Sequence, residues 1–363
     1  MKICFFTGDI TRSGGTERVV STLTEGLLYG NTKDQFYILS LEMKESTPFF
    51  HFDKKIILAH LDVSEELSPV EKLFKVVRGL RKYVVENRID ILIDVDTLLS
   101  VYSTPALIFT ETKHIAWEHF TLHHDLGVRY RNWGRKLAGR FADALVVLTQ
   151  RDQQQFVAQD WIKRPVKHIY NPIYLNGHMI IETTSDSKIL LSAGRLTAQK
   201  GFDLLIDVAE IIFKKHPDWQ WIVVGDGEDR KMLEEKIKEK HLEHHVLLPG
   251  VVDNIEDYYL RAAIFVLTSR FEPFGLVLTE AKSFYLPCVS FDVDSGPGEI
   301  ILNEVNGYLI EPFDIAEMAE KINILIENPE IRQQYAANAM QDTEKFHLEV
   351  IKGKWEKLFE NIE

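Results

Sequence analysis

Two pairs of charged residues in the second half of the chain have the types and spacing of a site for phosphate and hydroxyl groups. Arg195 and Lys200 both fall in the stretch Ser192-Ala193-Gly194-Arg195-Leu196-Thr197-Ala198-Gln199-Lys200-Gly201, and Glu272 and Glu280 both fall in the stretch 268–285. A guanidinium can chelate a diphosphate through paired N–H donors, and an ammonium adds a point charge. A carboxylate has two oxygens with which to accept from neighbouring hydroxyls of a sugar or ribose. Leu276, Val277, Glu280, Ala281 and Phe284 follow helical spacing, so Glu272 sits in the loop ahead of a helix and Glu280 within it. Pro273 stiffens that loop, and Gly275 lets a ligand approach the backbone at a helix N-terminus, where free N–H groups favour an anion. A phosphate held between two hydroxyl-bearing rings, as in a nucleotide sugar, suits this layout. Each pair standing alone is equally what two surface cations, or a helix start with a solvated carboxylate, would look like.

The elements that must position these residues alternate along the chain. Apolar runs at 2–7, 37–41, 56–59, 89–93, 114–117, 144–148 and 166–169 read as strands, with helices at about 16–28, 70–85, 100–107 and 150–158. Asn171-Pro172 breaks the pattern, and the polar segment to Lys188 reads as a linker. A second series follows at 189–193, 220–224, 245–248, 263–267, 287–291 and 307–310, again with helices between. Strand–helix alternation implies parallel sheets covered on both faces. The expected fold class is α/β, with two Rossmann-like domains whose parallel sheets face a cleft. The domains are 1–170 and 171–345, and a final helix, 346–363, carrying Trp355, Leu358 and Phe359, crosses back onto the first.

In such sheets ligands bind beyond the carboxyl ends of the strands. Gly14-Gly15, Glu118-His119, Gly194-Arg195, Gly225-Asp226-Gly227, Pro249-Gly250, Glu272 and Ser295-Gly296-Pro297-Gly298 all occupy such loops. Gly225-Asp226-Gly227 lacks the third glycine of a dinucleotide fingerprint, because Arg230 stands there. The chain of 363 residues carries a net charge of −13, which argues against general nucleic-acid binding. Its start is too short in apolar residues for a secretion signal, no apolar run reaches membrane-spanning length, and the expected location is the cytoplasm. Cys4 and Cys288 sit in strand-like runs and read as buried thiols, and the histidines, including His123, His124, His241, His244 and His245, lack metal-ligand spacing. Residues 129–141 hold Arg129, Tyr130, Arg131, Trp133, Arg135, Lys136 and Arg140 without an acidic residue. This segment suits an anionic membrane surface, and equally an ordinary solvated helix with Trp133 and Phe141 in the core.

Gly194-Arg195 with Lys200-Gly201, combined with Glu272 and Glu280, resembles the retaining GT-B glycosyltransferases of family GT4. Gly14-Gly15-Thr16-Glu17, Val224-Gly225-Asp226-Gly227, Pro249-Gly250, Gly296-Pro297-Gly298-Glu299-Ile300-Ile301 and Asn306-Gly307 extend the resemblance in order along nearly the whole chain. It implies that Arg195 and Lys200 hold the donor diphosphate, Glu280 the ribose and Glu272 the transferred sugar. Backbone groups of Gly275, Leu276 and Val277 would bind phosphate, with Gly15 and Gly250 among the donor contacts and His119 near the reacting carbon. It also implies a nucleotide-sugar donor, UDP-linked by preference, with no cofactor and no metal. The acceptor would be a glycan or a polyprenyl- or lipid-linked glycan in polysaccharide or lipopolysaccharide assembly. Competing readings are a synthase or phosphorylase of the same fold making a soluble sugar, and a non-catalytic sugar-nucleotide-binding subunit.

Overall fold

The computed structural model describes residues 1–30, 33–61, 63, 67–124, 127–173 and 187–362. Most of the stretch read as a linker therefore lies outside the described residues. The chain forms two units, the first comprising 1–172 and 346–363 and the second 173–345.

The first unit is built on strands β1 (Lys2–Asp9), β2 (Gln35–Glu42), β3 (Ile57–His60), β4 (Ile91–Val95), β5 (Lys113–Trp117), β6 (Ala144–Val147) and β7 (Val166–His168). They lie in the order β3-β2-β1-β4-β5-β6-β7, all parallel. Their near-continuous apolar sequences are what a sheet buried on both faces requires. Phe6, Asp94 and Ala116 are register partners across β1, β4 and β5, so they share one face. On that face Phe6 packs in a core with Val76 and Leu80 of the helix Pro69–Asn87 and Ala106 of the helix Ser100–Leu107. Ala116 packs there with Ala138 of the helix Arg129–Phe141. The opposite face carries Phe5 and Trp117, whose rings lie 6.5 and 4.9 Å from that of Trp355. Trp355 is fully buried on the last helix, Leu348–Ile362, which also presses Leu348 against Gly26 of the helix Gly15–Gly30.

The second unit holds β8 (Ile189–Ala193), β9 (Gln220–Val224), β10 (Val246–Gly250), β11 (Ile264–Leu267), β12 (Cys288–Phe291) and β13 (Gly307–Ile310), again all parallel, in the order β10-β9-β8-β11-β12-β13. The order reverses between β8 and β11. Such a switch point opens a crevice at the strand ends, and the loops leaving β8 and β11 carry Arg195, Lys200 and Glu272.

Both cysteines are buried free thiols. Burial pushes the Cys288 thiol up to about 12, so it is not a nucleophile at neutral pH. Among the described residues no helix is long and apolar enough to cross a membrane.

Candidate active site

Lys200 and Glu272 are far apart in sequence and meet because their loops are clasped together. The amide of Arg270 donates to the carbonyl of Gln199 at 2.8 Å, and Thr268 Oγ1 donates to the carbonyl of Lys200 at 3.2 Å. The Arg270 guanidinium locks the clasp, donating to both oxygens of Asp203 at 2.7 Å and to the carbonyl of Ala198 at 2.9 Å. Gly201 makes the close approach feasible. It has φ +63°, and a Cβ there would lie 2.2 Å from the carbonyl oxygen of Thr268.

The clasp places Lys200 Nζ 2.6 Å from Glu272 Oε2, and Ser269 Oγ donates to the same oxygen at 2.9 Å. Both contacts fall on one carboxylate oxygen, and Oε1 has no protein partner among the described residues. Arg195 is exposed on the loop leaving β8 and makes no hydrogen bond or ion pair among the described residues. A paired but unsaturated carboxylate, an ammonium with two protons to spare and an unpaired guanidinium thus share one switch point.

Gly275 adopts φ +99° and begins the helix Leu276–Ser283. Leu276 and Val277 are half-buried in the first turn, where backbone N–H groups have no intrahelical partner. Glu280 is only 9% exposed on this helix, and its Oε2 accepts from the Tyr259 hydroxyl at 3.0 Å. The alternative of a solvated Glu280 is therefore wrong. Tyr259 is itself held by stacking on Phe284, with ring centroids 5.2 Å apart. Gly250 ends β10 with φ +87°, and its carbonyl accepts from the amide of Gly225 at 2.9 Å.

The glycines at Gly225-Asp226-Gly227 serve close loop packing. A Cβ on Gly225 would lie 2.0 Å from the carbonyl oxygen of Gly194, and one on Gly227 2.3 Å from that of Leu196. They let the loop after β9 lie flat against the loop that carries Arg195. Gly296 likewise sits against the carbonyl of Phe274, with its amide donating to the carbonyl of Glu272 at 2.9 Å.

Gly15 and His119 belong to the first unit. Gly15 opens the helix Gly15–Gly30, beside Gly14, whose absent Cβ leaves room for the Glu17 carboxylate. His119 follows β5, is 6% exposed and lies against Trp117 with ring centroids 4.4 Å apart and planes tilted by 50°, and its Nε2 is buried without a partner among the described residues. Burial, followed by the positive field of Arg131, pushes its pKa down to about 3, so the imidazole is neutral at physiological pH.

Beside His119 lies a buried charge network not evident in the sequence. Arg135 Nε donates to Glu118 Oε2 at 2.7 Å, and Thr97 Oγ1 donates to the same oxygen at 2.6 Å. Nη1 of Arg131 reaches both oxygens of Asp96, at 2.8 and 2.6 Å, and its guanidinium lies 3.9 Å over the Phe120 ring. Burial, then the charge of Glu118, raises the Asp96 carboxyl above the usual carboxylate range, with Arg131 opposing. Two cations of the segment 129–141 are thus spent inside. Conversely Trp133 and Phe141, at 72% and 52% exposure, are not core residues, which corrects that alternative. Among the described residues no group of three or more His, Cys, Asp or Glu is placed to hold a metal ion.

Residues 179–342 match the model of the family described as Glycosyl transferases group 1. An uncharacterized glycosyltransferase of Haemophilus influenzae is 31% identical over 358 residues, covering 98% of each chain. The amylovoran biosynthesis glycosyltransferase AmsD of Erwinia amylovora is 28% identical over 362 residues, again covering 98% of each. Anabaena HepE, solved in complex with UDP, superposes with a TM-score of 0.77 over 99% of this chain and 100% of its own, at 21% identity, a likeness of fold. With two Rossmann-like units in the GT-B manner and a full-length relative at this identity, the chain belongs to the group 1 glycosyltransferases.

Proposed function

We propose that this glycosyltransferase is retaining and metal-independent, moving a hexosyl or N-acetylhexosaminyl group from a UDP-linked sugar to a hydroxyl of a glycan or of a polyprenyl- or lipid-linked glycan. The setting would be cell-surface polysaccharide or lipopolysaccharide assembly; AmsD is named for amylovoran biosynthesis. The observation that carries the reading is the Lys200–Glu272 pair at 2.6 Å, set with unpaired Arg195 at the β8/β11 switch point. UDP is preferred because a protein of the same fold, HepE, holds it.

In the reaction the bond from the anomeric carbon to the diphosphate oxygen breaks and the acceptor hydroxyl bonds to the same face of that carbon. The hydroxyl proton passes to the departing phosphate oxygen. Arg195, Lys200 and the start of the helix Leu276–Ser283 stabilise the charge left on the diphosphate. Glu272 takes a sugar hydroxyl on Oε1 and Glu280 the ribose diol, with Gly250 and Gly275 to Val277 supplying backbone contacts. Within the first unit His119 offers a neutral imidazole, which would add no repulsion toward a carbon gaining positive charge. The exposed Tyr130, Trp133, Lys136 and Arg140 of the helix Arg129–Phe141 favour an acceptor presented at an anionic membrane.

Arg195→Ala and Lys200→Ala should each lower transfer by two or more orders of magnitude, about 3 kcal/mol in the barrier, with unchanged melting for the exposed Arg195 and a lowered melting temperature for Lys200, whose loss leaves Glu272 without its cation. Near-wild-type turnover in both removes them from the site. Thermal shift with UDP-, GDP- and ADP-sugars reads the base, and the anomeric coupling of the product by NMR reads retention. Activity should persist in EDTA, and loss restored by magnesium or manganese overturns metal independence.

A further inference from the structure

The helices Pro69–Asn87, Ser100–Leu107 and Arg129–Phe141 cover one face of the first sheet side by side. The middle helix and the turn after it, residues 100–110, contain no charged side chain. That turn ends in Phe109, 96% exposed, with φ +61°. A bulky residue in the left-handed region needs to be held there. Arg81 does so, Nη1 donating to the carbonyls of Ala106 and Ile108 at 3.1 and 2.5 Å, while the Thr110 amide donates to Leu107 at 3.0 Å. The backbone thus holds a large apolar side chain away from any core.

The flanking helices add to this surface from either side. Phe74 is 70% exposed on one, and Trp133 is 72% exposed on the other. Together the two helices carry ten lysines and arginines against two acidic residues, in a chain whose net charge is −13. Arg131 and Arg135 turn inward, but Lys75, Arg78, Lys82, Lys136 and Arg140 are exposed. The layer is therefore basic at both sides, uncharged along its middle and tipped by the exposed Ile108 and Phe109.

We infer that this three-helix face lies on an anionic lipid surface, with Phe109 entering the headgroup layer and the flanking cations meeting lipid phosphates. Cations ringing exposed aromatics suit the membrane interface, whereas lysine is depleted at protein–protein contacts. A nucleic acid would have no use for an uncharged middle helix with a phenylalanine at its tip. The inference deepens the reading of a membrane-presented acceptor, moving the contact from one helix to a layer of three.

The test needs neither donor nor acceptor, so it stands or falls separately from the transferase reading, which nucleotide-sugar turnover checks. The full chain is sedimented with vesicles of phosphatidylcholine alone or with phosphatidylglycerol. Binding should require phosphatidylglycerol and weaken with salt. Phe109→Asn, a side chain tolerated at positive φ, should lower the partition coefficient by about tenfold, and Lys75→Glu with Lys136→Glu should abolish binding. Melting curves show that each variant is folded. Brominated lipid should quench wild-type tryptophan fluorescence and spare Trp133→Phe. Failure of the wild type to bind anionic vesicles, or equal binding by Phe109→Asn, overturns the inference. So does a dimer in vesicle-free light scattering that Phe109→Asn dissolves, because the occupant is then a second copy.

Discussion

Replacing Arg135 with methionine should be among the most destabilising single changes in the first unit. The Arg135–Glu118 pair is sealed, with side-chain exposures of 1% and 0%. Methionine keeps the aliphatic volume and deletes the guanidinium. Lost with it are the 2.7 Å contact to Glu118, the 2.8 Å bonds to the carbonyls of Leu122 and Thr121 and the 3.0 Å bond to that of His124. Thr97 Oγ1 and the Phe120 amide still donate to Glu118, but the nearest remaining cation among the described residues, Arg131 Nη1, is 4.0 Å away. A buried pair broken from one side costs about 3–5 kcal/mol, because the surviving charge has lost its solvent and its partner.

Adding Glu118→Gln to Arg135→Met removes that stranded charge and leaves only unpaired neutral groups, about 1–3 kcal/mol. The double variant should therefore be more stable than Arg135→Met alone. Hydrogen exchange of the β5 and β6 amides, read by mass spectrometry over residues 113–148, assigns the loss to the correct unit. Protection should fall by about two to four orders of magnitude in the single variant and recover in part in the double. Unchanged protection in Arg135→Met, or a double variant less protected than the single, would show that the pair does not carry the local stability.

Three further outcomes follow from the same structure. Gly201→Ala must move the Lys200 loop off Thr268, so its melting temperature should fall by about 3–8 °C, and wild-type melting refutes the clasp. Burial pushes Lys282 down to about 8 from its ordinary 10.5 while Nζ donates to the carbonyl of Ile300. The folded state thus sheds this proton first, and wild-type stability should rise relative to Lys282→Met as pH climbs from 8 to 10.5, by a maximum of about 3 kcal/mol, in urea titrations along that range. His119, held at about 3 against an ordinary 6.5, should show no imidazole titration by NMR above pH 5, and stability should be lost as pH falls below 6.5 because only the unfolded chain protonates there.

Strands were the most legible part of the sequence, because a parallel sheet buried on both faces leaves continuous apolar runs such as Ile189–Ala193 and Gln220–Val224, which the structure reproduces. Arg195, Lys200 and Glu272 stood out because unlike charges fell in loops after strand ends, and Glu280 because it lay on the helix that follows. Tyr259, Arg270 and Asp203 did not, since their partners lie in other segments and nothing local marks a tyrosine as the one that holds Glu280. The segment 129–141 shows how the signal was there to be read. Arg131, Arg135, Ala138 and Ala142 share a helical face, and its small residues mark close packing. Size pointed to Trp133 and Phe141 as the core, but Asp96 and Glu118 make the arginine face the buried one.

The same logic of charges held in advance bears on the proposed donor site. Lys200 and Glu272 neutralise each other at 2.6 Å, with side-chain exposures of 16% and 8%, so neither is stranded while the site is empty. Their backbone positions do not depend on that contact, because the Arg270–Asp203 pair and the Gly201–Thr268 approach already fix both loops. An arriving diphosphate would meet an ammonium with donors left over and an arginine with none engaged, and it need not dismantle a bridge to bind. Glu272 would meanwhile keep Oε1 for a sugar hydroxyl. On this account Glu272→Gln weakens the hold on Lys200 and the sugar together, whereas Arg270→Met, which removes no proposed donor contact, loosens both loops. If Arg270→Met left transfer unchanged, the clasp would be dispensable, and the pairing of Lys200 with Glu272 would have to position itself.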